Sequence, residues 1–327
     1  MARPLTIVMY HYVRNPEETR FPHLNVLSVD EFHAQLAYLK RHYTFVTVDD
    51  VLAAMRDPKT GLPENAVLLT FDDGYVDHYT VVFPTLQNAG IQGAFFVPAA
   101  PVVDGRILQV NKIQMLLSTV ADKALLGALI DEAVQDVQAE PGLLEPAAYR
   151  AENFKPSRFD PADVVYVKRM LQGILPVAMR EALVDRLFAK FVSDDEASVI
   201  SEMYASEEQL KEMIEGGMYI GSHGANHMWM NTISEADQKC EIDASLNFLK
   251  RIGAPVDNWM MCYPYGRYND TLVEVCRARK ACLGVTTVVD IADLDRDDLM
   301  LLPRLDTNDL PKQADAPANE WTRKILV

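Results

Sequence analysis

The sequence predicts an α/β fold in which a parallel sheet closes, or nearly closes, into a barrel. Most strand-like segments are continuous apolar runs, which indicates that both faces of the sheet are buried. Helical patterns separate these runs, as the βα repeats of a parallel sheet require. One long region breaks this alternation with helical patterns alone, which predicts a large helical insertion in the barrel.

Strand and helix signals alternate along the chain. The predicted strands cover residues 5–13, 44–48, 66–71, 93–98, 218–223, 259–264, 283–288 and 301–305. Between them, "SVDEFHAQLAYLKRH" is typical of a helix capped by Ser28 or Asp30. The segment "SEEQLKEMIEGG" predicts a helix that begins at a capping box on Ser206 and ends at a glycine pair.

The helical insertion is expected at about residues 106–204, where several helix starts carry proline near the first turn. Its size suits a cap over one end of the barrel, and its amphipathic helices could equally form the surface of a homo-oligomer. We expect residues 1–327 to form a single barrel domain with this insertion. The Pro/Ala-rich tail from about residue 309 is expected to wrap the surface loosely.

Composition excludes some partners and locations. The 327 residues carry a formal net charge of -16, so nucleic acid and anionic membrane surfaces are not expected partners. No apolar run approaches the roughly 20 residues that span a bilayer, and the N-terminus does not resemble a secretory signal. The four cysteines lack short paired spacing, as expected of reduced thiols. We therefore expect a cytoplasmic protein without a transmembrane segment.

Polar residues at the predicted carboxyl ends of strands are the candidates for chemistry, because active sites of parallel α/β folds lie there. They are His11, Asp72, Asp73, Ser222, His223, His227, the "YPYG" of residues 263–266, and Arg304. Taken alone, "DDG" is typical of a polar turn and "SHGANH" of a loop with incidental histidines.

Together these two motifs predict a divalent-metal site. Imidazoles four residues apart, His223 and His227, can converge on one ion, and Asp73 can supply a third ligand while other positions stay open. A dication would also stabilise Asp72 and Asp73 as adjacent ionised carboxylates, which burial alone would disfavour. The ligand types favour Zn²⁺, with Co²⁺, Ni²⁺, Mn²⁺ and Fe²⁺ as alternatives.

The motifs "LTFDDG", "GSHGANH" and "YPYG" resemble those of the polysaccharide deacetylase family, carbohydrate esterases of family four. The resemblance covers the strands between residues 5 and 305 but not the insertion, and it implies a distorted (β/α)7-type barrel. It further implies that Asp72 is the general base and that Asp73, His223 and His227 bind the metal. The backbone N–H of Tyr265 is then expected to stabilise the oxyanion.

Two departures from the family pattern concern the histidine loop and the surroundings of Asp72. Gly224 stands where members often carry Ser or Thr, which removes one hydrogen bond from the loop. Many members carry an arginine at or near the position of Cys262, and this segment has none. Arg304 is therefore expected as the charge partner of Asp72, although it could instead form a purely structural salt bridge.

The proton donor is expected at the N-terminal end of the chain. Histidine commonly protonates a leaving amine near neutral pH, and the last histidine, His227, is already assigned to the metal. Of the remaining histidines only His11 lies at the carboxyl end of a predicted strand. Its segment "MYHYV" resembles the N-terminal motif of circularly permuted family members. A buried, hydrogen-bonded histidine is the alternative for this position.

The leading functional hypothesis is a metal-dependent carbohydrate N-deacetylase whose substrate is an N-acetylated amino sugar, either a polysaccharide or a glycan precursor. A second hypothesis is a hydrolase that uses the same site to cleave a different C–N bond, that of a formamide, cyclic imide or ureide. A third is a non-catalytic binding protein on a degenerate barrel. Metal content and acetate release separate the three.

Overall fold

The structure is a computed structural model that describes residues 3–57, 61–137, 142–157 and 160–326. The chain divides into two compact units. The first comprises Met1–Asn15, Asn25–Gly105 and Ile200–Val327, and the second comprises Pro16–Leu24 and Arg106–Val199. The sheet belongs to the first unit, and the predicted insertion contributes most of the second.

The first unit contains one mixed sheet. Its strands are β1 (Pro4–Tyr10), β2 (Thr44–Phe45), β3 (Ala66–Asp72), β4 (Gly93–Val97), β5 (Tyr219–Ser222), β6 (Trp259–Cys262), β7 (Ala281–Val285), β8 (Ala292–Asp293) and β9 (Leu305–Asp306). They run in the order β7-β6-β5-β4-β3-β1-β8, with β2 on β3 and β9 on β1. All pairs are parallel except β1 with β8.

The sheet curls so that its two sides are joined by one late segment. Leu302 forms a parallel bridge with Val285 of β7, and β9, three residues on, pairs with β1. The curled, mostly parallel sheet confirms the predicted α/β fold class. Because the central strands are parallel, their carboxyl ends meet at one edge, where the polar motifs of the sequence lie.

The helices connect these strands and form the second unit. They are α1 (Val29–His42), α2 (Val48–Arg56), α3 (Phe83–Ala89), α4 (Ala99–Val103), α5 (Gln109–Thr119), α6 (Lys123–Asp136), α7 (Pro146–Asn153), α8 (Ala162–Arg169), α9 (Val177–Phe191), α10 (Glu196–Met203), α11 (Glu207–Glu215), α12 (Glu235–Ile252), α13 (Asp270–Ala278) and α14 (Glu320–Ile325). Of the two expected caps of α1, Ser28 is the one observed, and the predicted capping box at Ser206 of α11 is confirmed.

Two predicted strands are largely wrong. The segment at residues 301–305 is in a strand only at Leu305, where β9 begins, apart from the isolated bridge of Leu302, because Pro303 has no N–H to donate to a strand pairing. The segment at residues 44–48 is extended only over Thr44–Phe45, because Thr47 caps α2. The Thr47 side chain accepts a hydrogen bond from the N–H of Asp50, whose carboxylate accepts one from the N–H of Thr47. This reciprocal pair starts a helix one residue later and ends the β conformation.

Side chains of the sheet alternate between two buried clusters. Val67, Leu69 and Phe71 of β3 pack with the helices around the sheet, whereas Leu68 packs in the interior cluster with residues of β4, β6 and β7. Because side chains two residues apart on a strand share a face, Asp72 lies on the same face of β3 as Leu68. The first aspartate of the pair therefore points into the curled sheet.

The second unit is helical over its described residues. Its core is formed by apolar residues of α5, α6, α7, α8 and α9 together with the π-helical segment Met170–Ile174 that follows α8. The predicted proline signals are confirmed: α7 begins at Pro146, and Pro161 and Pro176 precede α8 and α9. Among the described residues of this unit there is no strand.

The C-terminal segment packs against α1. Gln35 donates hydrogen bonds to the carbonyls of Thr307 and Leu310. The hydroxyl of buried Thr322 lies within hydrogen-bond distance of the hydroxyls of Tyr38 and Tyr43. The tail was expected to be loose, and these contacts attach it to the first unit. No helix in the described part of the chain is long and apolar enough to cross a bilayer.

Candidate metal centre and active site

The backbone after β3 turns sharply between the two aspartates. Asp72 ends the strand, and Asp73 and Gly74 both adopt left-handed conformations, with φ of 78° and 68°. A Cβ on Gly74 would lie 2.8 Å from Cγ1 of Val97, so this position needs glycine for space as well as for conformation. Strained non-glycine backbone, as at Asp73, is common at functional sites. The turn sends the two carboxylates in different directions.

Asp73 brings the two histidines of the downstream motif together. Its Oδ1 lies 3.3 Å from Nε2 of His223 and 3.3 Å from Nε2 of His227, and all three residues are buried. Among the described residues, this oxygen has no hydrogen bond of good geometry. A buried carboxylate oxygen between two imidazole nitrogens is a donor set that fits a divalent transition metal.

The backbone of β6 orients the first histidine. Nδ1 of His223 donates a hydrogen bond to the Cys262 carbonyl at 2.7 Å, which leaves Nε2 to face Asp73. Such hydrogen bonds commonly fix the ring orientation of metal-binding histidines. His227, with φ of 53°, packs its ring 4.8 Å from that of His223.

Glu241 of α12 holds the loop between these histidines. Its Oε2 accepts hydrogen bonds from the N–H groups of Ala225 and Asn226. Gly224 adopts φ of 71°, a conformation that glycine tolerates better than Ser or Thr, and its N–H donates to Ser222 Oγ at 3.2 Å. The loop is thus anchored by contacts that do not need the hydroxyl expected at position 224.

The electrostatics of the site favour an ionised Asp73. Burial opposes ionisation, but His227 and His223 outweigh it and hold the pKa of Asp73 well below its ordinary value. Burial lowers the pKa of His227. Burial opposes protonation of His223, yet Cys262 and Asp73 outweigh it and hold the pKa of this imidazole above its ordinary value.

Arg304 clamps Asp72. Its two terminal nitrogens donate to Oδ1 and Oδ2 of Asp72, each at 2.8 Å, and its Nε donates to the Thr286 carbonyl. Burial raises the pKa of Asp72, yet the guanidinium outweighs it and lowers that pKa to about 2. Cys262 Sγ lies 3.4 Å from Asp72 Oδ2 and 3.3 Å from the guanidinium. The small thiol leaves room for an arginine that arrives from the far end of the sequence.

His11 follows β1 at the same edge of the sheet. The pairing of Tyr10 with Phe71 places it beside Asp72, and its charge lowers the pKa of both Asp72 and Asp73. His11 is half-buried. Nε2 of His78 donates to the His11 carbonyl at 2.9 Å, which fixes the backbone that carries the ring.

Tyr265 forms part of an aromatic group beside His227. Its ring centroid lies 4.7 Å from that of His227 and 5.8 Å from that of Trp229. The guanidinium carbon of Arg267 lies over the Trp229 ring, 4.9 Å from its centroid. Trp229 and Tyr265 are half-buried, so part of each ring is exposed in the aromatic group beside His227. Tyr265 has φ of 58°, another strained position of this edge.

The structure therefore brings all the predicted site residues to one edge of the sheet, and it adds several that the sequence analysis missed. Tyr75 donates to Asp73, the Cys262 carbonyl orients His223, Glu241 anchors the loop and Trp229 extends the aromatic group. Tyr75 directly follows "DDG", which was its only local signal. The other three depend on contacts between distant parts of the chain.

The model of the family described as polysaccharide deacetylase matches residues 59–116 and 190–282. These two segments contain both aspartates, both histidines of the site and Tyr265. They exclude His11 and Arg304, so those two positions rest on the geometry described above.

Two curated relatives match shorter segments. YxkH of Bacillus subtilis (strain 168), named as a polysaccharide deacetylase, is 32% identical over 95 residues, which are 28% of this chain and 31% of that protein. The poly-beta-1,6-N-acetyl-D-glucosamine N-deacetylase of Escherichia coli (strain K12) is 50% identical over 54 residues, 16% of this chain and 8% of that enzyme. The matches span less than a third of the length of either relative.

A solved structure matches over most of the chain. The Streptococcus pyogenes deacetylase PplD, determined in complex with acetate, superposes with a TM-score of 0.59 at 21% sequence identity. The superposition covers 95% of this chain and 96% of that one. At this identity the likeness concerns the fold, and it agrees with the curled α/β sheet described above.

Proposed function

We propose that this chain, which belongs to the polysaccharide deacetylase family, is a metal-dependent hydrolase that removes an N-acetyl group from an amino-sugar substrate. The observation that carries the proposal is the pair Asp72 and Asp73. One carboxylate lies between two imidazole nitrogens and the other, next in sequence, is held by a buried arginine. A pair with such different surroundings supports a division of labour between metal binding and proton transfer.

Asp73, His223 and His227 are the residues that would hold the metal. When bound, a divalent ion supplies Lewis-acid chemistry, polarising the acetyl carbonyl and stabilising negative charge on its oxygen. Two nitrogen ligands and one carboxylate favour Zn²⁺, and Co²⁺, Ni²⁺, Mn²⁺ and Fe²⁺ suit the same donors. Positions left open on the ion distinguish catalytic from structural sites of this kind.

Asp72 is the proposed general base. Its low pKa keeps it ionised at neutral pH, so it can accept the proton of an attacking water. Arg304 occupies one lone pair on each carboxylate oxygen and the Cys262 thiol donates to Oδ2, so Oδ1 retains a lone pair for that proton. The clamp therefore fixes the orientation of the base without occupying all of its acceptor capacity.

His11 and Tyr265 have proposed roles on the other atoms of the amide. His11 would donate a proton to the leaving nitrogen, because it is the half-buried imidazole beside Asp72 that no metal role engages. The backbone N–H of Tyr265 would donate to the carbonyl oxygen as it gains charge. The exposed parts of the Tyr265 and Trp229 rings offer an apolar surface on which a sugar ring can pack.

The proposed substrate class is an N-acetylglucosamine polymer or a glycan precursor. The name of the E. coli relative supports this choice, since that enzyme acts on poly-beta-1,6-N-acetyl-D-glucosamine. A cytoplasmic location and self-association through the helical unit belong to the same proposal. Fractionation of cells and the mass of the purified protein in solution test these two points.

Acetate release tests the function directly. The chain is stripped of metal with a chelator, reloaded with Zn²⁺, and incubated with β-1,6-linked N-acetylglucosamine oligomers, chitooligosaccharides, a nucleotide-linked N-acetyl sugar, a formamide and a cyclic imide. We expect acetate from at least one amino sugar, and none before reloading. Product from the formamide or imide alone would favour the second hydrolase hypothesis. No product from metal-loaded protein would favour a binding protein.

A further inference from the structure

The two oxygens of Asp73 face different partners. Oδ1 faces the two imidazole nitrogens at 3.3 Å, whereas Oδ2 accepts a hydrogen bond from the hydroxyl of Tyr75 at 2.6 Å. Tyr75 is fully buried, and its contact with Asp73 spans only two residues of sequence. The carboxylate is therefore held by a donor on the side away from the histidines.

The position of Tyr75 is itself fixed by two other segments. Its ring stacks on that of Tyr12, with centroids 3.8 Å apart and planes inclined by 16°, and the two hydroxyls are hydrogen-bonded. Its backbone forms an antiparallel bridge with Tyr204, and the N–H of Ala205 donates to the Gly74 carbonyl. The hydroxyl that contacts Asp73 is thus held by the segment that follows β1 and by the segment that precedes α11, neither of which supplies a candidate metal ligand.

We propose that Tyr75 is a positioning residue that makes Asp73 a monodentate ligand and so keeps a coordination position open on the ion. A carboxylate can bind a metal through one oxygen or through both. A short hydrogen bond to Oδ2 stabilises that oxygen away from the metal and leaves Oδ1 as the ligand. This inference adds to the proposed function a residue that sets how Asp73 binds the ion. Only the use of the open position in catalysis rests on the proposed function.

A purely structural role for Tyr75 predicts something different. If Asp73 only satisfied a buried hydroxyl, loss of that hydroxyl would change stability and leave the metal's ligand number unchanged. If the hydroxyl selects the binding mode, its loss lets Oδ2 reach the ion. The number of ligands on the metal after loss of the hydroxyl therefore distinguishes the two roles, whereas a change in stability does not.

The test is Tyr75→Phe, with Tyr10→Phe as the matched control. Tyr10 is also fully buried, and its hydroxyl has no hydrogen-bond partner among the residues that the structure describes. Both variants and the parent chain are stripped of metal, checked for folding by circular dichroism, and titrated with Co²⁺, whose visible bands weaken as ligand number rises. We expect weaker bands and a 10- to 100-fold change in Co²⁺ affinity or in turnover for Tyr75→Phe only.

An unchanged spectrum and affinity in folded Tyr75→Phe would overturn the proposal. If that variant does not fold, X-ray absorption on the Zn²⁺-loaded parent chain decides: one carboxylate oxygen at bonding distance supports it, and a bidentate carboxylate overturns it. Failure of the proposed function would appear separately, as absent acetate release from the parent chain. The Co²⁺ spectra and the absorption data would still decide the binding mode of Asp73.

Discussion

Arg304 holds both carboxylate oxygens of Asp72 at 2.8 Å although 232 residues of sequence separate the two. Both side chains are almost entirely buried. A paired guanidinium is the main reason why a carboxylate at the end of a core strand can stay ionised there. The proposed base is therefore oriented by the residue that directly precedes β9, the last strand of the chain.

Arg304→Lys should lower kcat by about 10²-fold with little change in KM, because a lysine cannot span both oxygens and the base would lose its fixed orientation. Steady-state deacetylation kinetics measure this. Arg277→Lys is the control, since Arg277 pairs with Asp298 on the surface. An unchanged kcat in Arg304→Lys would show that Arg304 and Asp72 form only a structural salt bridge.

His11→Gln should lower kcat on N-acetyl sugars by about 10²- to 10⁴-fold, the range of general acid catalysis. An aryl acetate with a good leaving group needs no proton on departure, so its hydrolysis should be nearly unaffected. Parallel assays with both substrates, at equal metal content, check this. An equal loss on both substrates would contradict the role of His11 as proton donor.

His78 should make the fold sensitive to acid. Burial lowers its pKa from 6.5 to about 4, so the unfolded chain binds this proton first as the pH falls. Its contribution to stability is complete above pH 6.5 and is lost between pH 6.5 and about 4. At about 1.4 kcal/mol per pKa unit, the loss is at most about 3 kcal/mol.

Urea unfolding of metal-free protein at pH 7.5 and pH 4.5 measures this difference. His78→Gln keeps an N–H that can reach the His11 carbonyl but does not titrate, so its free energy of unfolding should fall less over this range. The exposed His33→Gln is the control and should behave as the parent chain. Parallel losses in His78→Gln and the parent chain would contradict the prediction.

The fold class was predictable because strands that are buried on both faces consist of continuous apolar runs, as β3 and β4 do. The candidate metal ligands were predictable because "DDG" and H-x-x-x-H are local patterns whose chemistry needs only convergence at one edge of a sheet. The conformation of residues 44–48 was not predictable in the same way. Their composition is typical of a strand, but the cap at Thr47 starts a helix.

Contacts across the chain set the limit of the sequence analysis. Tyr75 gave no sign of its partner, because the hydrogen bond depends on the left-handed backbone of Asp73 and on the rotamer of its carboxylate. The attachment of the tail was hidden for a similar reason. Its Pro/Ala-rich composition has no periodicity, and Thr322 meets Tyr38 only after folding.

The most direct test of the account compares metal content and turnover in two neighbouring variants, Asp72→Asn and Asp73→Asn. Each is purified, dialysed against Zn²⁺, and measured for bound metal by mass spectrometry and for acetate release. We predict that Asp72→Asn binds one equivalent of metal but has lost turnover by at least about 10²-fold. Asp73→Asn should lose both metal and turnover. Full activity in Asp72→Asn, or undiminished metal binding in Asp73→Asn, would contradict the central claim that the two carboxylates divide proton transfer and metal binding between them.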